Sequence, residues 1–95
     1  SKAALQGLVK SCALDLGARG ILINAVLPGV VDTPMTRSHL AAEQISTITR
    51  QTALQRLAEP VDIAAAVAFL VGSSNRCITG QFLTVDGGFI GFTHP

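Results

Sequence analysis

Leu5, Leu8, Val9, Cys12 and Leu16 recur at three- and four-residue intervals, the period of one helix face, and Gly17 and Gly20 follow the last of them. The spacing predicts a helix over residues 1–18, entered in mid-course with its start upstream. Ala4, Gly7 and Ser11 lie on a second face, made of small residues. An interior glycine costs roughly 1 kcal/mol relative to alanine, so this face is expected to receive a neighbouring helix. Residues 21–27 are apolar except for Asn24 and stop at Pro28-Gly29. That pattern predicts a central strand of a parallel sheet, covered on both faces and flanked by two neighbours.

From residue 36 to 57 the pattern turns polar, with one weakly amphipathic helical stretch around Ala41, Ile45 and Ile48; this reads as a mobile surface segment or lid. Glu59-Pro60-Val61-Asp62 opens a further helix, since proline suits the first turn and acidic side chains suit the positive end of the dipole. It ends at Gly72. Ile63, Ala66, Val67 and Leu70 form its buried face, and Ala64, Ala65, Ala68 and Val71 leave the rest without charge, so cover on both sides is expected. Thr79-Gly80 then turns into a short strand over residues 81–85, stopped by Asp86-Gly87-Gly88. The predicted order is helix, strand, lid, helix, strand, with one right-handed parallel crossover. Two strands alone do not make a stable sheet.

Composition sharpens this picture. Hydrophobic residues make up 48% of the 95 and charged residues 14%, with mean hydropathy +0.48, where soluble domains carry roughly 25% charged residues; much of the surface is therefore expected to be covered by protein. The longest uncharged stretch, residues 63–75, is 13 long, short of the roughly 18 that would suggest a membrane span. A net charge of +1 leaves no footprint for nucleic acid. No targeting signal opens the chain, which makes the cytoplasm the expected location. Cys12 and Cys77 lack partners at metal-ligand spacing and are expected to be buried apolar thiols, and no metal site is expected.

Five segments, in this order, identify a family: Ser1-Lys2-Ala3-Ala4-Leu5; Ile23-Asn24-Ala25-Val26-Leu27-Pro28-Gly29-Val30-Val31-Asp32-Thr33-Pro34-Met35; Glu59-Pro60-Val61-Asp62-Ile63-Ala64 with Phe69-Leu70; Ile78-Thr79-Gly80-Gln81; and Val85-Asp86-Gly87-Gly88. Together they resemble the C-terminal part of short-chain dehydrogenase/reductases. The resemblance covers nearly the whole chain. It implies an α/β fold, the C-terminal portion of a Rossmann-like doubly wound parallel sheet that is incomplete on its own. Residues 1–95 would form one incomplete domain, with residues 36–57 as the substrate lid. The family's glycine-rich phosphate loop, catalytic serine and catalytic tyrosine have no match here; the tyrosine would stand four residues before Lys2, upstream of Ser1.

The resemblance assigns a catalytic role to Lys2, whose charge would favour the phenolate of that tyrosine and whose ammonium would bond the cofactor's ribose. A lone lysine at a helix start otherwise reads as a solvated charge. Pro28 and Gly29 turn the chain away at the carboxyl end of a strand, where open parallel sheets bind ligands. The family pattern gives the Val31 main chain to the nicotinamide carboxamide and the Thr33 hydroxyl to the carboxamide or pyrophosphate. Thr33 also reads as a helix N-cap with Pro34 at the first helical position. Cofactor-binding candidates are thus Lys2, Pro28, Gly29, Val31 and Thr33, and the cofactor is NAD or NADP.

His39 and His94 read as a surface and a tail residue. Asp32 caps or meets solvent, Asp62 is a helix-start charge, and Asp86 shapes the turn with Gly87 and Gly88. The implied function is hydride transfer between a nicotinamide cofactor and a small alcohol or carbonyl substrate, by an enzyme of which this chain alone would be inactive. The alternative is a non-catalytic association module. In either case a homo-oligomer is expected, with the helix of residues 62–71 and the last strand in an interface and the first helix as a second candidate contact.

Overall fold

The computed structural model describes residues 1–90 and contains, in chain order, helix α1 (Lys2–Gly17), strand β1 (Ala25–Pro28), helices α2 (Pro34–His39), α3 (Ala42–Arg50) and α4 (Pro60–Val71), and strand β2 (Phe82–Val85). β1 and β2 pair in parallel, Ala25 opposite Phe82 and Pro28 opposite Val85. The α/β architecture and its order agree with the sequence pattern. Among the described residues no helix is long and apolar enough to cross a membrane. The candidate His94 lies outside the described residues.

Local chemistry explains the helix ends. At α1, the Ser1 hydroxyl accepts from the Ala4 N–H at 3.2 Å. At α4, the Asp62 carboxylate accepts from the Glu59 N–H at 2.8 Å, and Pro60 occupies the first turn, where its missing N–H has no helical partner to lose.

The first strand is shorter than expected. Pairing at residues 23 and 24 mixes main chain and side chains: the Gly80 N–H donates to the Ile23 carbonyl at 2.6 Å, while the Ile23 N–H donates to the Thr79 hydroxyl at 2.9 Å, the Asn24 amide donates to the Ile78 carbonyl at 2.9 Å, and the Gln81 N–H donates to Asn24 Oδ1 at 3.0 Å. Regular ladder bonding therefore starts only at Ala25. The β1 residues 25–27 are half-buried and Pro28 is exposed. Among the described residues β2 is β1's sole strand neighbour, which leaves the other edge of β1 without a strand partner.

Strand alternation places the helices on opposite faces. Val26 lines a cavity with Val67 and Leu70 of α4, whereas Phe82, whose register partner is the adjacent Ala25, lies under the Lys2 ammonium of α1. A buried amide ties α4 to the segment that leads into β2: Asn75 donates to the Leu70 and Ile78 carbonyls at 2.9 and 3.1 Å and accepts from the Cys77 and Ile78 N–H groups at 3.3 and 2.9 Å.

The core is thin, with Val9, Ile45, Leu57, Ala58 and Leu70 as its buried apolar side chains. The radius of gyration is 15.6 Å, against roughly 12 Å for a compact chain of this length. The accessible surface is 6471 Å², against roughly 5,200 Å² for a folded monomer of this mass. Within this chain several apolar positions stay uncovered. Leu8 and Leu14 of α1 are 59% and 83% exposed, nothing stands within 4 Å of a side chain built at Gly7, and Val67 and Val71 of α4 are exposed. Cys77 is exposed and Cys12 half-buried, correcting the expectation of two buried thiols. In each case the apolar surface exceeds what five core side chains can enclose.

Candidate functional site

The carboxyl end of β1 is set by a close approach. The Gly29 N–H donates to the Val85 carbonyl at 3.0 Å, and a Cβ at Gly29 would stand 2.6 Å from the Asp86 Cβ and 3.0 Å from its Cα. Only glycine lets the two strand ends pass this closely. Asp86 in turn accepts from the Gly88 N–H at 2.9 Å, and Gly87 and Gly88 take the left-handed conformation that glycine favours, with φ of 69° and 83°. The expected role of Asp86 in shaping this turn is present.

Beyond Gly29 the chain pairs with residue 58. The Ala58 N–H donates to the Val30 carbonyl at 3.3 Å, and the Asp32 N–H donates to the Ala58 carbonyl at 2.7 Å, a parallel bridge between Val31 and Ala58. In such a bridge the polar groups of the central residue point away from the partner strand. The Val31 N–H has no hydrogen-bond partner among the described residues, while its carbonyl accepts from the Thr36 hydroxyl at 2.6 Å. Val31 is half-buried. One residue thus presents a free donor and a carbonyl with a remaining lone pair side by side, at the carboxyl end of a parallel sheet.

Thr33 caps α2. Its hydroxyl accepts from the Thr36 N–H at 3.2 Å and directs its proton to Thr36 Oγ1 at 3.2 Å, and Pro34 occupies the first turn. Thr36 was not singled out by sequence reasoning. The signal was available, since it stands at the third helical position after a capping Thr-Pro, where the backbone N–H meets the cap. Asp32 does not cap; it meets solvent while forming a paired ion bridge with Arg37 at 2.8 and 3.0 Å. Hydrogen bonding by that guanidinium holds the Asp32 carboxyl below its ordinary range.

Lys2 lies elsewhere. Its Nζ stands 5.7 Å from the Phe82 ring centroid, an exposed cation over an aromatic face. Phe82 opens β2, whereas Pro28, Gly29, Val31 and Thr33 sit at the other end of the sheet. Among the described residues no hydrogen bond or ion pair joins Lys2 to that turn. Sequence reasoning therefore named two clusters, and these residues bring together only the second. His39 is exposed, with Nδ1 2.9 Å from the Met35 carbonyl and 3.1 Å from the Ser38 hydroxyl. Among the described residues no three His, Cys, Asp or Glu side chains group to hold a metal ion.

A cavity of about 600 Å³ lies away from the turn. It lies along the outer side of β1 and α4, lined by Leu22, Ile23, Val26, Val67, Leu70 and Val71 with Asn24 as its polar side chain. It lacks the convergent polar groups that orient a ligand, and is better described as an uncovered packing groove. A smaller space of about 130 Å³ lies behind the turn, between Gly29, Val30, Ile48, Thr52 and Leu57.

The family model described as enoyl-(acyl carrier protein) reductase matches residues 1–90. An L-rhamnose 1-dehydrogenase (NAD(P)(+)) of Azotobacter vinelandii is 43% identical over 89 residues, covering 93% of this chain and 35% of its own length. A 3-oxoacyl-[acyl-carrier-protein] reductase of Rickettsia bellii is 46% identical over 90 residues, 95% of this chain and 37% of its own. The solved short-chain dehydrogenase/reductase from Serratia marcescens BCRC 10948 superposes with a TM-score of 0.84 at 43% identity, covering 93% of this chain and 35% of that one. The chain spans little more than a third of the length of these relatives.

Proposed function

Because the chain belongs to the short-chain dehydrogenase/reductase family, we propose that it is the C-terminal part of an NAD(P)-dependent oxidoreductase acting on an alcohol or carbonyl group. The observation that carries this reading is the Val31 peptide, whose N–H has no partner among the described residues and whose carbonyl points outward at the carboxyl end of the parallel sheet. A primary carboxamide has an acceptor and a donor on one carbon and fits that pair. The residues present therefore suit the nicotinamide end of the cofactor, which when bound supplies or accepts a hydride. Gly29 lets the main chain come close, and the Thr33 hydroxyl adds a polar group beside Val31.

In this reading Lys2 acts together with a tyrosine four residues before it. Such a spacing puts both side chains on one helix face, where the ammonium favours the phenolate and bonds the ribose while the tyrosine hydroxyl gives or takes the proton. The cation–aromatic contact with Phe82 is then the resting place of a side chain whose intended neighbours are not among these residues. Residues 1–95 form one incomplete domain, and residues 36–57, which hold all of α3 and the C-terminal part of α2, form the substrate lid. The test is direct: a chain verified by mass as 95 residues shows no oxidation of NADH or NADPH with a panel of ketones, and a coding frame extended upstream has a tyrosine at the third position before Ser1. Turnover by the 95-residue chain, or another residue at that position, refutes the reading.

A second reading, a non-catalytic association module, is favoured by the surface. The 6471 Å² of accessible area exceeds that of a compact monomer by over a thousand Å², and the exposed edge of β1 is a template for pairing. Under this reading the chain assembles with copies of itself through α4 and β2. Sedimentation equilibrium at micromolar concentration distinguishes it; a compact monomer with protected amides in both strands removes the association reading.

A further inference from the structure

We propose that Thr36 is a positioning residue for cofactor recognition, acting through the Val31 peptide; this rests on the reading that the turn meets the nicotinamide carboxamide. The peptide plane between Val31 and Asp32 is pinned at both edges. On one edge the Asp32 N–H donates to the Ala58 carbonyl at 2.7 Å, and on the other the Val31 carbonyl accepts from the Thr36 hydroxyl at 2.6 Å. Without that hydroxyl the plane is held from one side only and tilts about the remaining bond. Thr36 is itself held, because its N–H is given to the Thr33 hydroxyl at 3.2 Å and its Oγ1 receives the Thr33 proton at 3.2 Å. The cap of α2 is thereby coupled to the orientation of the Val31 carbonyl.

A carboxamide binds one residue's N–H and C=O together only when the two point in fixed directions. The Val31 N–H direction is set by the preceding peptide, whose Val30 carbonyl accepts from Ala58. The carbonyl direction depends on Thr36. A carbonyl oxygen has two lone pairs, so the Thr36 bond leaves one for a ligand donor. Removing the hydroxyl is therefore expected to weaken recognition of the carboxamide NH₂ rather than cofactor binding in general.

The experiment uses the intact enzyme and measures dissociation constants by nicotinamide fluorescence for reduced NAD or NADP and for its reduced 3-acetylpyridine analogue, in which a methyl group replaces the carboxamide NH₂. The variants are Thr36→Val, of nearly equal shape, and Thr36→Ser, which keeps the hydroxyl; Thr36→Ala replaces the valine variant if that one does not fold. The wild type is expected to prefer the carboxamide form. Loss of the hydroxyl weakens that form roughly tenfold and the acetyl analogue by less than about twofold, and serine restores the preference. Equal weakening of both forms, or wild-type affinity in the valine variant, overturns the role of Thr36 while the wild-type preference leaves the cofactor reading standing. A wild type that does not distinguish the two forms refutes the cofactor reading itself, and this proposal with it.

Discussion

The turn after β1 and the helix α1 carry the two halves of the candidate chemistry, and they are built differently. The turn is knit within its own neighbourhood: Gly29 to Val85, Val30 and Asp32 to Ala58, Thr36 to Val31 and Thr33, and Asp86 to Gly88. Its geometry is complete among these residues. Helix α1 presents Lys2, Leu5, Leu8 and Leu14 to solvent and buries only Val9. Hydrogen bonds closed among these residues make a recognition element self-sufficient, whereas a catalytic side chain gains its partners only when the packing that supplies them is present.

The largest test of this contrast is Lys2→Ala in the intact enzyme. Proton-transfer partners contribute typically 10²–10⁴-fold, so we predict that turnover falls by about two orders of magnitude. In the isolated chain the same substitution removes only an exposed contact with Phe82, and the far-ultraviolet circular dichroism stays unchanged. Undiminished turnover by the variant would place the proton chemistry elsewhere.

Gly29→Ala probes the other region. The added methyl meets the Asp86 Cβ and Cα, which belong to the main chain or are bonded directly to it and cannot rotate aside. Overpacking of this kind costs about 1–3 kcal/mol, and moving the strand ends apart lengthens the Gly29 to Val85 bond. We expect a lower unfolding midpoint in denaturant together with weaker cofactor binding. An unchanged midpoint would mean that the turn is not knit as described.

The same contrast explains what could be read from sequence. Thr33-Pro34 and Glu59-Pro60-Val61-Asp62 carry their information in adjacent residues, and the helices they start lie where expected. The glycines at 29, 87 and 88 marked the strand ends. The start of β1 was misplaced because Asn24 and Thr79, far apart in sequence, supply side-chain bonds that interrupt the regular ladder beside the main-chain bond at Ile23. Asn75 went unnoticed for a similar reason, since an asparagine in a loop looks like any polar surface residue until its four partners are assembled. The exposure of Cys77 and Val67 was likewise hidden, because apolar character says that a residue favours cover and not whether these residues can supply it.

Thr33→Ala is expected to have a smaller effect. It removes the cap on α2, worth about 1 kcal/mol, and one hydroxyl beside Val31. We predict a cofactor dissociation constant weakened by roughly five- to tenfold, with kcat little changed. Thr33→Ser should restore both the cap and the binding. Wild-type cofactor affinity in the alanine variant would leave Thr33 with its capping role alone.

Acid gives the mildest separation of the two regions. The Asp62 carboxylate accepts from Arg56 at 2.8 Å and from the Glu59 N–H at 2.8 Å, and these bonds, the Arg56 one first, lower its pKa below the ordinary 3.8. A carboxyl whose folded pKa is depressed stabilises the fold above its unfolded value and loses that contribution as pH falls through the folded one. Stability from the start of α4 is therefore full at neutral pH and decreases below about pH 4. Asp32 follows the same sign through Arg37. Both pairs are solvent-exposed, so salt screens them and the effect is modest. Helix α1 has no acidic residue in its first turn. We predict that amide exchange in α4 and α2 accelerates on acidification from pH 5 to pH 3 once corrected for the intrinsic rate, that α1 changes less, and that Asp62→Asn flattens the response in α4. A uniform acceleration across all three helices, unaltered by that substitution, would show that these two ion pairs do not set the acid response.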